Sequence, residues 1–175
     1  MRKIKNEELN RLSVDDYKVS DKFPVVIVLD NIRSLNNIGS TFRTADCFRL
    51  FEIHLRGITA KPPHREIQKT ALGATATVDW KYYENTEDSL RALKESGYKI
   101  YSIEQIENSV FLDDFTPNKS EKYALVFGNE INGVSEGAIE LSDGYIEIPQ
   151  YGTKHSFNVS VSIGIVLWQF LLHLK

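Results

Sequence analysis

The 175-residue chain has little cysteine and no strong excess of either charge. Its single cysteine, Cys47, cannot form an internal disulfide bond, which argues against a small secreted fold held by bridges and favours a reducing cytoplasm. The 21 Lys and Arg residues against 24 Asp and Glu give a net charge of −3, which excludes a histone-like polycation or a disordered charged tail. The hydrophobic content of 42% is sufficient for the core of one domain.

Several motifs of common enzymes and anchors are also missing. The sequence contains no G-x-G-x-x-G, no G-x-x-x-x-G-K-[ST] and no G-x-S-x-G, so it shows no dinucleotide fingerprint, P-loop or serine-hydrolase elbow. Its four histidines have no metal-ligand spacing, which predicts no metal site. The N-terminus is charged, unlike a signal peptide, and the longest apolar stretch, Val159–Leu174, is too short and too interrupted to span a membrane.

Apolar β-branched runs alternate with helical patterns along most of the chain. The runs Pro24–Asp30 and Tyr123–Phe127 predict strands that are buried on both faces. The other predicted strands are Phe51–Arg56, a short strand within Ala76–Tyr83, Tyr98–Ile103 and Tyr145–Ile148, with a loop at Gly57–Arg65. The predicted helices are Asn6–Leu12, Ile38–Phe48, Thr86–Ser96 with Thr86 as N-cap, Ser135–Leu141 and Asn158–Leu174. This alternation predicts an α/β fold with a mainly parallel sheet, in a single domain of residues 25–175 after an arm of residues 1–24.

Three loops that follow predicted strands are unusually rich in polar residues. They are Asn31–Gly39, Gly128–Gly133 and Pro149–Asn158. In open α/β sheets, ligands bind beyond the carboxyl ends of the strands. If the three loops converge there, they form one site.

The first loop leads into a predicted helix that contains Asn37 and Arg43. Asn37 suits the N-cap position, which would place Arg43 less than two turns from the positive end of the helix. A guanidinium there is able to hold a phosphate with two parallel hydrogen bonds. The structural alternative, in which Asn37 only caps the helix and Arg43 only forms an ion pair, stays open on this motif alone.

The other two loops allow similar alternatives. Glu130, between Gly128 and Gly133, follows a buried strand and is either an orienting group for a ligand ammonium or a neighbouring loop, or a solvated turn residue. Ser156 and Asn158 precede the most apolar helix of the chain. They are either helix caps or polar groups inside a ligand pocket.

Basic residues are concentrated in one segment. Residues 31–69 contain seven Lys and Arg but three Asp and Glu, so the segment carries +4 and the remainder of the chain −7. A basic face on an acidic protein favours a polyanion held at one site. A solvated surface whose cations pair with acids elsewhere is the alternative.

Taken in order, the three loops resemble the SpoU (TrmH-type) 2′-O-ribose RNA methyltransferases of the SPOUT superfamily. The motifs are N-x-G-x-x-x-R-T-A from Asn37, F-G-N-E-x-x-G-V-S from Phe127 and I-P-x-x-G-x-x-x-S-x-N-V-S-V from Ile148. The similarity extends from about Val25 to the C-terminus. It implies a SPOUT α/β knot, in which the C-terminal part of a mainly parallel sheet forms a deep trefoil, with S-adenosyl-L-methionine as cofactor and RNA as partner. It also implies a homodimer with the last helix in the interface, and no metal or membrane.

The resemblance assigns roles to individual residues. The implied catalytic set is Arg43 with Asn37, Glu130, Ser156 and Asn158 positioning it, the ribose and the loops. The implied cofactor contacts are Ser102 or Ile103, Gly128, Ile148 and Phe157, where family members usually carry Leu or Met at the last position. The implied RNA contacts are Arg33, Arg43, Lys61, His64 and Arg65.

The expected reaction is cytoplasmic methylation of a ribose 2′-hydroxyl, with tRNA favoured over ribosomal RNA. Two departures from the family are Asn36, where proline or histidine is common, and the lack of the additional N-terminal substrate domain found in some relatives. The alternatives are the same chemistry on ribosomal RNA, methylation of a base, and a non-catalytic RNA-binding module with the same fold. A generic nucleotide-binding α/β protein is disfavoured because no phosphate-cradling glycine loop is present.

Overall fold

A computed structural model of the chain describes residues 1–175, except for the side chain of Asn6. The strands are β1 (Phe23–Asp30), β2 (Leu50–Arg56), β3 (Trp80–Tyr83), β4 (Tyr98–Ile103), β5 (Val110–Phe111), β6 (Lys122–Phe127) and β7 (Gly144–Glu147). The helices are α1 (Val14–Val19), α2 (Leu35–Cys47), α3 (Arg65–Ala71), α4 (Thr86–Glu95), α5 (Glu136–Leu141) and α6 (Val159–Leu174), with a 3₁₀ turn at Asn6–Leu9. Strands and helices alternate along most of the chain, as the sequence predicts.

The seven strands form one sheet in the order β3-β2-β1-β6-β4-β7-β5. All of the strand pairings are parallel. Every strand therefore ends at the same edge of the sheet, and the loops that follow the strands lie along that edge. The predicted α/β fold with a parallel sheet is confirmed, whereas the threading of the trefoil knot stays a prediction.

The strands β1 and β6 are buried on both faces, as their apolar runs predict. In β1, Val25, Ile27 and Leu29 lie in the core beneath α2, α3 and α6. The alternate residues Val26 and Val28 lie in a second core beneath α4 and α5. Because each buried aliphatic side chain contributes about 1.5–3 kcal/mol, these two layers hold the central strands firmly beneath the loops.

The helix α2 begins three residues earlier than Ile38, and Asn37 is not its N-cap. Ser34 is the N-cap, and its hydroxyl accepts a hydrogen bond from the backbone N–H of Asn37 at 3.3 Å. Asn37 therefore lies inside the first turn with its side chain free for other partners. Arg43 lies eight residues after the helix starts at Leu35, which is more than two turns from the positive end rather than less.

Other boundaries differ for similar local reasons. Thr86 is the first helical residue of α4, and Asn85 rather than Thr86 occupies the N-cap position. The predicted helix at Asn6–Leu12 is a 3₁₀ turn that ends at Leu9. The elements α1, α3 and β5 were not predicted, because segments of two to seven residues are too short to show a period.

The N-terminal residues contact the domain through α1. Tyr17 is 4% exposed and belongs to the core beneath α2, while Lys18 forms an ion pair with Asp79 at 2.5 Å. The division of the chain at residue 24 stays a prediction. Among the helices that the structure describes, none is long and apolar enough to cross a membrane.

Candidate active site

A cavity of about 520 Å³ opens where β4, β6 and β7 end. Its walls come from the loops that follow these three strands and from the first turn of α6. The lining residues from the predicted site are Ile103, Gly128, Glu130, Ile148, Ser156, Phe157 and Asn158. The second and third polar loops therefore meet around one space, as the sequence predicts.

Asn37 connects the first polar loop to the other two. Its side chain is 8% exposed, and its Nδ2 donates a hydrogen bond to Oε1 of Glu130 at 3.2 Å. Its Oδ1 accepts a hydrogen bond from Nδ2 of Asn158, also at 3.2 Å. One amide group thus joins three segments that are 93 and 121 residues apart in the sequence.

Glu130 holds the start of α2 in place. Its carboxylate accepts hydrogen bonds from the backbone N–H groups of Arg33 and Ser34, each at 3.0 Å, in addition to the bond from Asn37. Burial acts to raise the pKa of Glu130, but these hydrogen bonds outweigh it and leave the pKa below its ordinary value. A negative charge at a helix N-terminus is also favourable. Of the roles that the sequence allows for Glu130, the structure shows that it orients a neighbouring loop.

Asn158 combines the two roles that the sequence left open. Its Oδ1 caps α6 by accepting from the backbone N–H of Ser160 at 3.0 Å, while its Nδ2 reaches Asn37. The orientation of the amide is therefore set from both sides. Ser156 is exposed and lines the cavity two residues earlier.

The glycines of the second loop allow two stretches of backbone to touch. A Cβ on Gly128 would lie 2.1 Å from the carbonyl carbon of Gly133 and from the nitrogen of Val134. Gly133 itself has a φ of +68°, which other residues rarely adopt. Asn129 then donates from Nδ2 to the carbonyl of Asn31 at 2.6 Å, a second tie between the first and second loops.

Arg43 does not line the cavity of its own chain. Asn37 in α2 contacts Asn158 at the start of α6, and Phe48, the C-cap of α2, contacts Trp168 at a ring-centroid distance of 6.5 Å, so this side of α2 faces α6. Arg43 lies on a stripe with Asn36, Ser40 and Cys47, which faces solvent. The structure therefore brings Asn37, Glu130, Ser156 and Asn158 together but leaves Arg43 apart from them.

The cations of residues 31–69 divide into paired and free groups. Arg56 is buried against Asp30 at 3.3 Å, and Lys69 pairs with Glu66 at 2.8 Å. Among the described side chains, five exposed cations of this segment form no ion pair: Arg33, Arg43, Arg49, Lys61 and Arg65.

Three predicted RNA contacts lie around the start of α3. The ammonium of Lys61 lies 4.1 Å from the ring centroid of Tyr82, and His64 caps α3 by accepting from the N–H of Glu66 at 3.2 Å. Arg65 is the first residue of this helix and is exposed. These side chains form a basic surface outside the cavity.

Comparisons with known proteins agree with this architecture. The rRNA methyltransferase of Sinorhizobium meliloti, solved with AdoMet bound, superposes with a TM-score of 0.80 at 26% identity, over 94% of this chain and 62% of that one. The tRNA (guanosine(18)-2′-O)-methyltransferase of Borreliella burgdorferi is 30% identical over 86% of this chain and 67% of its own length. The 23S rRNA (guanosine-2′-O-)-methyltransferase RlmB of Neisseria meningitidis serogroup B is 33% identical over 82% of this chain and 56% of its own length.

The parallel sheet, the cavity at its carboxyl edge and these similarities define an α/β protein of the methyltransferase class. The SpoU rRNA Methylase family model matches residues 24–168. The chain belongs to this family. It spans just over half of the Neisseria relative and two thirds of the Borreliella relative.

The residues of the cavity fit S-adenosyl-L-methionine. Ile103, Ile148 and Phe157 supply apolar walls of the kind that adenine requires, and Gly128 leaves backbone accessible. The lining contains three carboxylates and one histidine, His155, but no lysine or arginine, which suits a donor with a positive charge. Ser102 is fully buried, its hydroxyl lies 2.8 Å from that of Ser142, and it does not line the cavity.

Sequence reasoning overlooked Glu104, which lines the cavity immediately after β4. Its carboxylate accepts a hydrogen bond from the backbone N–H of Val134 at 3.0 Å. The available signal was its position, because it is the first polar residue beyond a predicted strand next to Ser102 and Ile103.

Proposed function

We propose that this protein transfers a methyl group from S-adenosyl-L-methionine to a ribose 2′-hydroxyl of RNA. Membership of the SpoU family supports the chemistry. The observation that carries the proposal is the joining of all three motifs by Asn37, which contacts both Glu130 and Asn158 at the cavity. The relatives named above carry 2′-O-methyltransferase names for both tRNA and rRNA.

The donor and the protein divide the chemistry between them. When bound, S-adenosyl-L-methionine supplies a methyl group on a positively charged sulfur that leaves as a neutral thioether. Asn37, Glu130 and Asn158 hold the loops that orient the ribose for in-line attack, and such alignment accounts for a large part of the rate. Ser156 is the exposed hydroxyl of this group and contacts the incoming nucleotide.

Arg43 has two possible roles at the 2′-hydroxyl. A guanidinium holds its proton at neutral pH, so Arg43 as a base requires help from a neighbouring RNA phosphate. In the second route it only holds the phosphate and polarises the hydroxyl. Both routes require the guanidinium beside the ribose.

We propose that the protein works as a homodimer through the outer face of α6. Val161, Trp168 and Leu172 are 48%, 55% and 46% exposed on this helix, an unusual amount of apolar surface. A groove of about 650 Å³ with mostly apolar walls, including Pro149, Tyr151 and Trp168, lies along the same face. A second copy of the chain covers this surface.

The dimer also resolves the position of Arg43. Arg43 is exposed on α2 and does not line the cavity of its own chain, and α2 packs directly on α6. We propose that Arg43 of one copy acts at the cavity of the other. Mixed dimers of Arg43→Ala and Asn158→Ala chains should then regain activity that neither variant has alone, whereas action within one chain predicts no recovery.

The favoured substrate is tRNA in the cytoplasm. The basic surface of Lys61, His64 and Arg65, together with Arg33, contacts it. These side chains are exposed, and the three Lys and Arg residues among them form no ion pair with described groups, so they are free to contact phosphates. Ribosomal RNA is the second candidate, because the Neisseria relative is named as a 23S rRNA enzyme.

The experiment is methyl transfer with labelled S-adenosyl-L-methionine to bulk tRNA and to ribosomal RNA, followed by mass mapping of the modified nucleotide. We expect label in tRNA on a ribose 2′-oxygen. Label on ribosomal RNA alone would select the second candidate. Label on a base, or none on either RNA despite cofactor binding, would reject ribose methylation.

A further inference from the structure

Glu104 lines the cavity at the end of β4. It follows β4 directly, and β4 lies between β6 and β7 in the sheet, whose loops form the cavity walls. Its Oε2 accepts a hydrogen bond from the N–H of Val134, and its Oε1 accepts from the N–H of Gln105, each at 3.0 Å. These two backbone bonds fix the carboxylate, because neither donor is a side chain that can turn away.

The surrounding backbone is shaped to admit this carboxylate. A Cβ on Gly133 would lie 2.3 Å from Oε2 of Glu104, so no other residue fits there without displacing it. The same glycine has the positive φ that the turn requires. The second polar loop therefore closes against Glu104 rather than against an apolar side chain.

The ionisable groups of the cavity lining are mostly acidic. The lining contains the carboxylates of Glu104, Glu130 and Glu147, one histidine, His155, and no lysine or arginine. Glu130 is committed to the start of α2, and Glu147 accepts from the hydroxyl of Ser109 at 3.0 Å. Glu104 lines the cavity with a carboxylate held only by the backbone N–H groups of Gln105 and Val134. A fixed negative charge stabilises a cation there and gives no comparable stabilisation to a neutral group.

We propose that Glu104 is a specificity-determining residue that makes the cavity prefer the positively charged sulfonium donor over its neutral thioether product, S-adenosylhomocysteine. This inference rests on the proposed function. The methyl transfer removes the positive charge from sulfur, so the same carboxylate that holds the donor no longer holds the product. Glu104 therefore favours exchange of spent cofactor as well as binding of fresh cofactor.

The test measures binding to the full chain by calorimetry, with wild type and Glu104→Gln. The ligands are S-adenosyl-L-methionine, sinefungin, which carries an amine where the donor carries its methyl sulfonium, and S-adenosylhomocysteine. The variant should bind the two cationic ligands about tenfold more weakly, while its affinity for S-adenosylhomocysteine changes less than about threefold. Glu104→Asp, which keeps the charge, should restore most of the preference for cations.

The control is Glu107→Gln, which removes an exposed carboxylate from the same loop outside the cavity lining. It should leave all three affinities unchanged. If Glu104→Gln weakened the binding of all three ligands equally, the proposal would be overturned. Glu104 would then contact the ribose or support the loop, and its charge would not select the cationic ligands. If Glu104→Gln does not fold, the affinities of the wild-type protein test the proposal. Wild-type protein that binds S-adenosylhomocysteine as tightly as the two cationic ligands would also overturn the proposal.

Failure of this inference is distinguishable from failure of the proposed function. Wild-type protein that binds the donor and methylates RNA, with no charge preference at Glu104, rejects only the role of Glu104. Wild-type protein that binds none of the three ligands rejects both.

Discussion

At the scale of single residues, the site depends on polar side chains whose hydrogen bonds join loops that are distant in the sequence. Asn37 donates an N–H to Glu130, and its oxygen accepts from Asn158, so replacement of one amide loosens both of the other loops. Glu130 accepts from two backbone N–H groups and from Asn37. Each of these residues positions neighbours that are distant in the sequence, and a buried donor left without an acceptor costs about 1–3 kcal/mol.

The charge of Glu130 should make stability depend on pH. Because the pKa of Glu130 is lower in the folded chain than its ordinary 4.5, its carboxylate stabilises the fold above that pH, and this contribution is lost as the pH falls through the lowered value. Because Glu130 is exposed and solvent screens its charge, Glu130→Gln should lower the free energy of unfolding by only about 1 kcal/mol at pH 7 and by much less at pH 3. Urea unfolding at the two pH values measures this.

The matched control for this titration is Glu140→Gln, an exposed carboxylate on α5. It should change the free energy of unfolding by less than about 0.5 kcal/mol at either pH. A deficit of Glu130→Gln that stays the same at pH 3 and pH 7 would show that its charge does not stabilise the start of α2.

The sequence could supply the identity of these residues but not their partners. Asn37, Glu130 and Asn158 stand in recognisable motifs, and two of the three loops line one cavity as predicted. The N-cap assignment was wrong because Ser34 and Asn37 are both residue types that cap helices well. The hydrogen bonds that the backbone N–H groups of Arg33 and Ser34 donate to Glu130 hold the start of α2 at Ser34. Local patterns contain no information about a carboxylate that is nearly a hundred residues away.

At the scale of elements, α2 is held between α6 and α3. The α3 contact is very close, because a Cβ on Gly39 would lie 2.1 Å from Oγ1 of Thr70 and 2.3 Å from the backbone oxygen of Ile67. The prediction of a loop through residue 65 left α3 out, since its seven residues follow two prolines and show no clear period. Close packing of α2 against α3 thus explains why the first motif has a glycine at position 39.

Gly39→Ala should destabilise the protein by about 1–3 kcal/mol, despite the better helix propensity of alanine. The backbone of Ile67 cannot move away as a flexible side chain can. Thermal unfolding and urea unfolding measure the change. Ser40→Ala, one position along on the solvent stripe, is the control and should be within about 0.5 kcal/mol of wild type. If Gly39→Ala is as stable as Ser40→Ala, α3 does not pack on α2 this closely.

The exposed face of α6 gives the second prediction at this scale. Trp168→Asp places a charge in the centre of the proposed dimer surface and should convert the protein to monomer in light scattering at micromolar concentration. The rate of methyl transfer should also fall at least tenfold, because Arg43 of a monomer has no partner cavity at which to act.

Val19→Asp is the matched control, since Val19 is an apolar residue that is 86% exposed on α1, a different helix. It should leave the oligomeric state unchanged. A wild-type protein that is monomeric at all concentrations, or a Trp168→Asp protein that stays dimeric, would contradict an interface on α6.

At the scale of the whole molecule, the parallel sheet brings the loops together and the charge distribution directs the substrate. The order β6-β4-β7 places three loop-bearing ends side by side around an acidic cavity. The basic surface near α3 lies outside it, so the cationic cofactor and the anionic RNA are attracted to different places. The alternation of strands and helices predicted the parallel sheet, whereas the order of the strands depends on contacts that no local pattern encodes.

The most direct test of the account is methyl transfer by Arg43→Ala compared with wild type, alongside calorimetric binding of S-adenosyl-L-methionine. The control, Arg91→Ala, removes an exposed arginine from α4 on the opposite face of the sheet and should behave as wild type. The account predicts that Arg43→Ala binds the cofactor within about twofold of wild type but methylates RNA at least about a hundredfold more slowly. Near-normal turnover by Arg43→Ala would contradict it.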